Sequence, residues 1–98
     1  MSLAALSEQV ARVSDIYAER FSVRRDDDWF MIKLQEELGE LAQAHLRLSQ
    51  RARGESSEQA RADEAADVMC MLLLYCRHHH IDLDAAVARK WLAHLDAA

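Results

Sequence analysis

The chain has 98 residues and a net charge of −5, with twelve basic side chains against seventeen acidic ones. Its length leaves no room for a second domain, so residues 1–98 read as a single helical domain. The acidic balance excludes a broad electrostatic grip on DNA or RNA, which needs a basic surplus to displace counterions. There is no proline, there are only two glycines (Gly39 and Gly54), and apolar residues make up 51% of the chain. That composition favours helix throughout.

The first periodic segment runs from about Leu3 to Phe21, with Leu6, Val10, Val13 and Tyr17 as its predicted buried stripe. Its N-terminus lacks a basic region followed by a long apolar stretch and does not read as a signal peptide. The segment closes in SVRRDDD, whose aspartates suit the cap and first turn of a following helix. Helix two is expected from about Asp28 to Gln50, with a seam of Phe30, Leu34, Leu38, Leu41, His45 and Leu48.

RARGESSEQ (Arg51–Gln59) is the clearest break, and Ser56 with Gln59 fits a capping box that opens helix three. Helix three carries VMCMLLLYC (Val68–Cys76), which is apolar all round and must be covered on several sides. This run is about half the length a membrane span requires. Cys70 and Cys76 lie six apart, about 120° from each other on a helix, so they cannot bridge within it. They read as small hydrophobes in a reducing, cytoplasmic setting. Adjacent helical residues splay about 100° apart, so His78, His79 and His80 cannot all hold one ion and read as a helix end. Asp82 then caps a last helix with the stripe Leu83, Val87, Trp91 and Leu95. The expected fold is all-α, a four-helix bundle, and its small size favours completion by dimerisation.

The acids of helix two are not one cluster. With Leu34 at zero on a wheel of 100° per residue, Glu37 falls about 60° and Glu40 about 120° to the same side. Glu36 points about 160° away. In DEAADVM (Asp63–Met69) of helix three, Glu64 and Asp67 share one face, and that face borders the core. A short loop makes the two helices antiparallel neighbours, and the two acidic pairs have their midpoint at residue 52, near that loop. Both pairs therefore sit at one height. Four carboxylates at an apolar edge repel one another and lose hydration. A hard divalent cation, Mg²⁺ or Mn²⁺, resolves this, and Mg²⁺ completes its shell with water and substrate phosphates. Glu37, Glu40, Glu64 and Asp67 are thus the candidate metal ligands for a phosphorylated ligand.

KLQEELGELAQA (Lys33–Ala44) followed by DEAADVMCMLL (Asp63–Leu73) resembles the MazG-like all-α nucleoside triphosphate pyrophosphohydrolases, whose motif is E-x-x-E on one helix and E-x-x-D on the next. The resemblance covers about Trp29 to Trp91. It implies Mg²⁺-dependent hydrolysis of a nucleoside triphosphate, ribo or deoxy, between its α and β phosphates, giving the monophosphate and pyrophosphate. It also implies a homodimer or dimer of dimers. Glu36 is the candidate general base by analogy with the family's paired glutamates, although the wheel sends it away from the quartet. Lys33 and Lys90 are candidate phosphate-binding residues, and Trp29 is a candidate for stacking on a base. Four residues after Lys90 the family often has asparagine; here the position is His94. An alternative of the same fold is phosphoribosyl-ATP pyrophosphatase, which shares the K-x-x-E-E and EAAD patterns. Many of its members carry histidine four residues after the motif's aspartate, where this chain has Met71, and the LGELAQA stretch favours the MazG-like reading. A non-catalytic helical interaction module is the third possibility. It gives no reason for matched acidic pairs. Gly39 shares a second face with Ile32, Ala42 and Leu46, which suggests that another helix, from this chain or a partner, comes close there.

Overall fold

The computed structural model describes residues 2–97 and is all-α, with no strand among them. The elements are α1 (Leu3–Phe21), α2 (Asp27–Leu48), α3 (Glu58–His78) and a terminal helical stretch. That stretch begins as α4 (Leu83–Val87), passes through a π-helical turn (Ala88–Leu92) and resumes as α5 (Ala93–Ala97). No helix is long and apolar enough to cross a membrane among the described residues. The chain divides into two compact units, one of residues 1–24 and 73–98, the other Arg25–Leu72.

The helix ends follow local chemistry. Ser2 accepts from the Ala5 amide, Asp26 from Trp29 and Asp82 from Ala85, each at the helix start its position implies. At α3 the structure corrects the sequence reading. Ser57, not Ser56, takes the amide of Ala60 at 3.0 Å, and the helix starts at Glu58. The C-terminal ends of α1, α2 and α3 all stop on a left-handed residue that is not glycine: Ser22, Gln50 and His80. In each, the next amide reaches back five residues, as in Ile81 to the Cys76 carbonyl at 2.8 Å. The histidine triplet is therefore a capped helix end, with His79 stacked on Tyr75 at 4.5 Å.

In the unit of residues 1–24 and 73–98, α1 packs against α4. Here α1 covers Ala11 and Ala18 and half-buries Ser7 and Ser14 together with Leu6 and Val10 of the expected stripe, while the expected Val13 and Tyr17 lie open, Tyr17 at 54%. Leu83, Ala86 and Val87 are half-buried in the terminal helix. The predicted continuation is not buried: Trp91 is 69% and Leu95 73% exposed. The stretch holds a π-helical turn with i→i+5 spacing between Val87 and Ala93, and every residue from Ala88 to Leu95 is exposed, so no other face takes the place of the expected stripe.

In the unit Arg25–Leu72, α2 and the first part of α3 are joined by a loop that Arg47 braces, its Nε donating to the Arg53 carbonyl at 3.0 Å. The buried stripe of α2 is Phe30 and Ala44, each 5% exposed, with Leu34, Glu37, Leu41 and Leu48 half-buried. This spacing is a regular helical face. It is rotated about 40° from the expected seam towards Glu37. Leu38 and His45, expected inside, point outward, Leu38 at 54% exposure. Leu38, Leu41, Ala42, His45 and Leu46 line an open, almost wholly apolar groove instead. A Cβ added at Gly39 would meet nothing within 4 Å, so no helix of this chain makes the close approach the sequence suggested.

Candidate metal centre

The rotation of α2 decides the character of the site. Glu37 occupies a packing position between Leu34 and Leu41, and its carboxylate enters the helix contact rather than bordering it. Opposite it, Glu64 is half-buried on α3, while Glu40 and Asp67 keep the exposed edge. Each of Glu37, Glu40, Glu64 and Asp67 offers one oxygen, and these four oxygens lie within 4.8 Å of one another. The charges felt across the contact also fix its direction. Glu37 is influenced by Asp67, and Glu64 by Glu40. Both cross pairs share the midpoint at residue 52, which is the signature of an antiparallel hairpin folded about the loop.

Two atoms distinguish this quartet from ordinary surface acid. Oε2 of Glu37 and Oε2 of Glu64 are buried and have no hydrogen-bond partner. A buried carboxylate oxygen without a hydrogen-bond partner is unfavourable while it stays charged. The protonation equilibria reflect the strain. Burial, a hydrogen bond shared with Glu40 and the charges of Glu40 and Asp67 push the Glu37 carboxyl up to about 7, against a smaller opposing pull from Lys33. Burial first, then the charges of Glu40 and Asp67, raise Glu64 as well. Without a cation Glu37 and Glu64 hold their protons to higher pH than an ordinary glutamate, whose value is 4.5. Four hard oxygen donors, two of them buried and unpartnered, fit a small divalent cation.

The other sequence candidates are Glu36, Lys33, Trp29 and Lys90. Glu36 accepts from Lys33 Nζ at 3.3 Å, an i,i+3 ion pair on the partly exposed side of α2. Lys33 thus neighbours both Glu36 and Glu37. Trp29 is half-buried in the first turn of α2, its ring edge-on to Phe30 at 5.0 Å. Lys90 is exposed on the π-helical turn of the other unit. Cys70 and Cys76 are free thiols, both pushed up by burial and so poor nucleophiles. One group escaped sequence reasoning, the arginines of the hairpin loop. Their signal was present in RLSQRARGE (Arg47–Glu55), where three arginines precede any acid.

Compared with known proteins, the chain matches the family model of phosphoribosyl-ATP pyrophosphohydrolase over residues 5–90. No curated protein and no solved structure matches it. The sequence favoured a MazG-like triphosphate pyrophosphohydrolase over its phosphoribosyl-ATP relative, whereas the matching model bears the relative's description; both lie in one superfamily. Because the match takes in both helices of the quartet and most of the sequence, the chain belongs to the phosphoribosyl-ATP pyrophosphohydrolase family of the MazG-like all-α superfamily, whose members are hydrolases of phosphorus anhydrides.

Proposed function

We propose that the chain is a Mg²⁺-dependent pyrophosphohydrolase that cuts a ribo- or deoxyribonucleoside triphosphate between its α and β phosphates, releasing the monophosphate and pyrophosphate. The observation that carries this reading is the quartet with its two buried, unpartnered carboxylate oxygens. Glu37, Glu40, Glu64 and Asp67 hold the metal, Mg²⁺ or alternatively Mn²⁺. When bound, the cation supplies charge neutralisation of the polyphosphate and acidifies the attacking water.

The remaining work falls to neighbouring side chains. Lys33, on the shoulder of the quartet, offers its ammonium to a substrate phosphate. Drawing Lys33 away releases the Glu36 carboxylate, whose Oε1 then serves as the acceptor for the water's proton. Lys90 is a second phosphate ligand and Trp29 a stacking surface for the base. The domain works as one unit in the cytoplasm and pairs with a second copy as a homodimer, or as a dimer of dimers. The open apolar groove of α2 and the exposed Val13, Tyr17 and Phe21 of α1 support that pairing, since faces of this kind are covered in stable proteins.

A second reading, phosphoribosyl-ATP as the substrate, is favoured by the family match. The test is product analysis with the common nucleoside triphosphates and with phosphoribosyl-ATP, with and without Mg²⁺. Monophosphate and pyrophosphate, formed only with metal, are the expected products, and the better substrate selects between the readings. Turnover that survives Glu37→Gln combined with Glu64→Gln removes the assigned site. No turnover of any substrate leaves a helical interaction module.

A further inference from the structure

The loop that closes the hairpin carries a charge pattern the quartet does not explain. In a chain of net charge −5, Arg47, Arg51 and Arg53 fall within seven residues, and the first acid after them is Glu55. Elsewhere on this hairpin, Lys33 is matched by Glu36 and Arg61 by Glu58. Among the described residues these three arginines have no carboxylate partner. Arg47 spends only Nε, on the Arg53 carbonyl, and its two terminal nitrogens remain available.

The loop is also built around Arg47. Gly54 sits at φ +96°, a conformation that favours glycine, and a Cβ there would come within 3.3 Å of the Arg47 Nε and press that side chain to shift. Gln50 holds the left-handed position that turns the chain, and the Arg51 amide returns to the Leu46 carbonyl at 2.8 Å. A guanidinium held this way loses little further entropy on binding an anion. Its position is equally defined. Arg47 follows Glu40 by seven residues, two helical turns, and so projects from the same side of α2, about 10 Å further along the axis. That separation exceeds the step between neighbouring phosphorus atoms in a polyphosphate. A group held here lies at the far end of a substrate whose scissile anhydride is at the quartet.

We propose that Arg47, supported by Arg51 and Arg53, forms a second phosphate subsite that takes a substrate phosphate remote from the anhydride being cut. The inference rests on the pyrophosphohydrolase reading and deepens it. The guanidinium fork matches phosphate oxygens in geometry and charge. Two sources supply such a phosphate, the terminal phosphate of a plain nucleoside triphosphate or the phosphomonoester on a second ribose, as in phosphoribosyl-ATP.

The experiment compares the wild-type protein with Arg47→Gln and with Arg51→Gln/Arg53→Gln. Steady-state kinetics on ATP and phosphoribosyl-ATP are combined with calorimetric binding of α,β-methylene ATP in Mg²⁺. Melting curves restrict the comparison to folded variants, and the double variant leaves the Arg47–Arg53 carbonyl contact in place. The expected result is a rise in KM of roughly tenfold for Arg47→Gln at nearly constant kcat, the size of one lost charge-assisted hydrogen bond. A rise for both substrates, with weaker analogue binding, identifies the terminal phosphate. A rise for phosphoribosyl-ATP alone identifies the phosphomonoester. KM values within twofold of wild type for both substrates and both variants overturn the subsite while leaving the enzyme reading intact. A wild-type protein that turns over neither substrate overturns the enzyme reading, and with it this one.

Discussion

Replacing Glu37 by glutamine should make the metal-free protein more stable and deaf to Mg²⁺. The substitution keeps the shape of the side chain and removes its charge from a packing position where Oε2 is buried without a partner. Two unit charges at the 4.8 Å limit of the quartet repel by about 3.5 kcal/mol at an effective dielectric constant of 20. Two effects reduce that figure. Glu37 is near half-protonation at neutral pH, because its carboxyl is pushed up to about 7, and Glu40 and Asp67 are screened by water at the exposed edge. The net relief is then about 1–2 kcal/mol. For a domain of this size each kcal/mol moves the midpoint by about 4–8 °C, so the EDTA-treated variant should melt roughly 5–10 °C above wild type. Wild type should gain stability with Mg²⁺, by about 2.7 kcal/mol at one hundred times the dissociation constant, while Glu37→Gln gains little. Thermal melts by circular dichroism, in EDTA and in excess MgCl₂, read both effects. A variant that melts at or below wild type in EDTA, and still rises with Mg²⁺, refutes the argument.

The same carboxylates set a pH dependence. The folded-state value for Glu37 lies above its ordinary 4.5, so its contribution is complete below that pH and is lost as pH rises through about 7; Glu64 is shifted in the same direction. Metal-free protein should therefore melt lower at pH 8 than at pH 6, by about 1–2 kcal/mol after solvent screening, and a flat or rising profile in EDTA contradicts this. Ser57→Ala should cost about 1 kcal/mol by uncapping α3, and Ser56→Ala clearly less; chemical denaturation of the two variants decides which serine is the cap. Leu38→Glu together with Leu46→Glu places charge on the open groove of α2 and should convert a dimer to monomer in sedimentation at micromolar concentration. An unchanged sedimentation coefficient rules that face out of the interface.

The quartet was legible in the sequence because acids three apart fix an angular phase and a short loop fixes the height at which two helices meet. Neither quantity depends on details of packing. The phase of the buried face does. On α1 and α2 apolar side chains cover so much of the circumference that hydrophobicity alone does not say which part faces the chain's own core. α1 turns Ala11 and Ala18 inward and α2 turns Ala44 and Glu37, leaving Tyr17 and Leu38 outside. The wheel therefore put Glu37 on the shoulder of a seam that it enters. Two local misreadings have local causes. Ser56 and Ser57 both suit a cap, and only backbone geometry picks the second. Nothing in ARKWL (Ala88–Leu92) announces a π-helical turn, since it contains neither glycine nor proline.

The outward-facing residues bear on how the protein is made. Among the described residues, thirteen large apolar side chains are more than a third exposed, on α1, α2, α3, the terminal stretch and, at Ile81, the connection before it. A second copy covering these faces, as proposed above, would arrive by diffusion, at association rate constants of about 10⁵–10⁷ M⁻¹s⁻¹. At roughly micromolar chain concentration that pairing would take the newly synthesised protein on the order of 0.1–10 s. During that interval its apolar faces are open to every other nascent chain. Yield should therefore depend on expression rate and temperature more steeply than for a bundle that closes its own core.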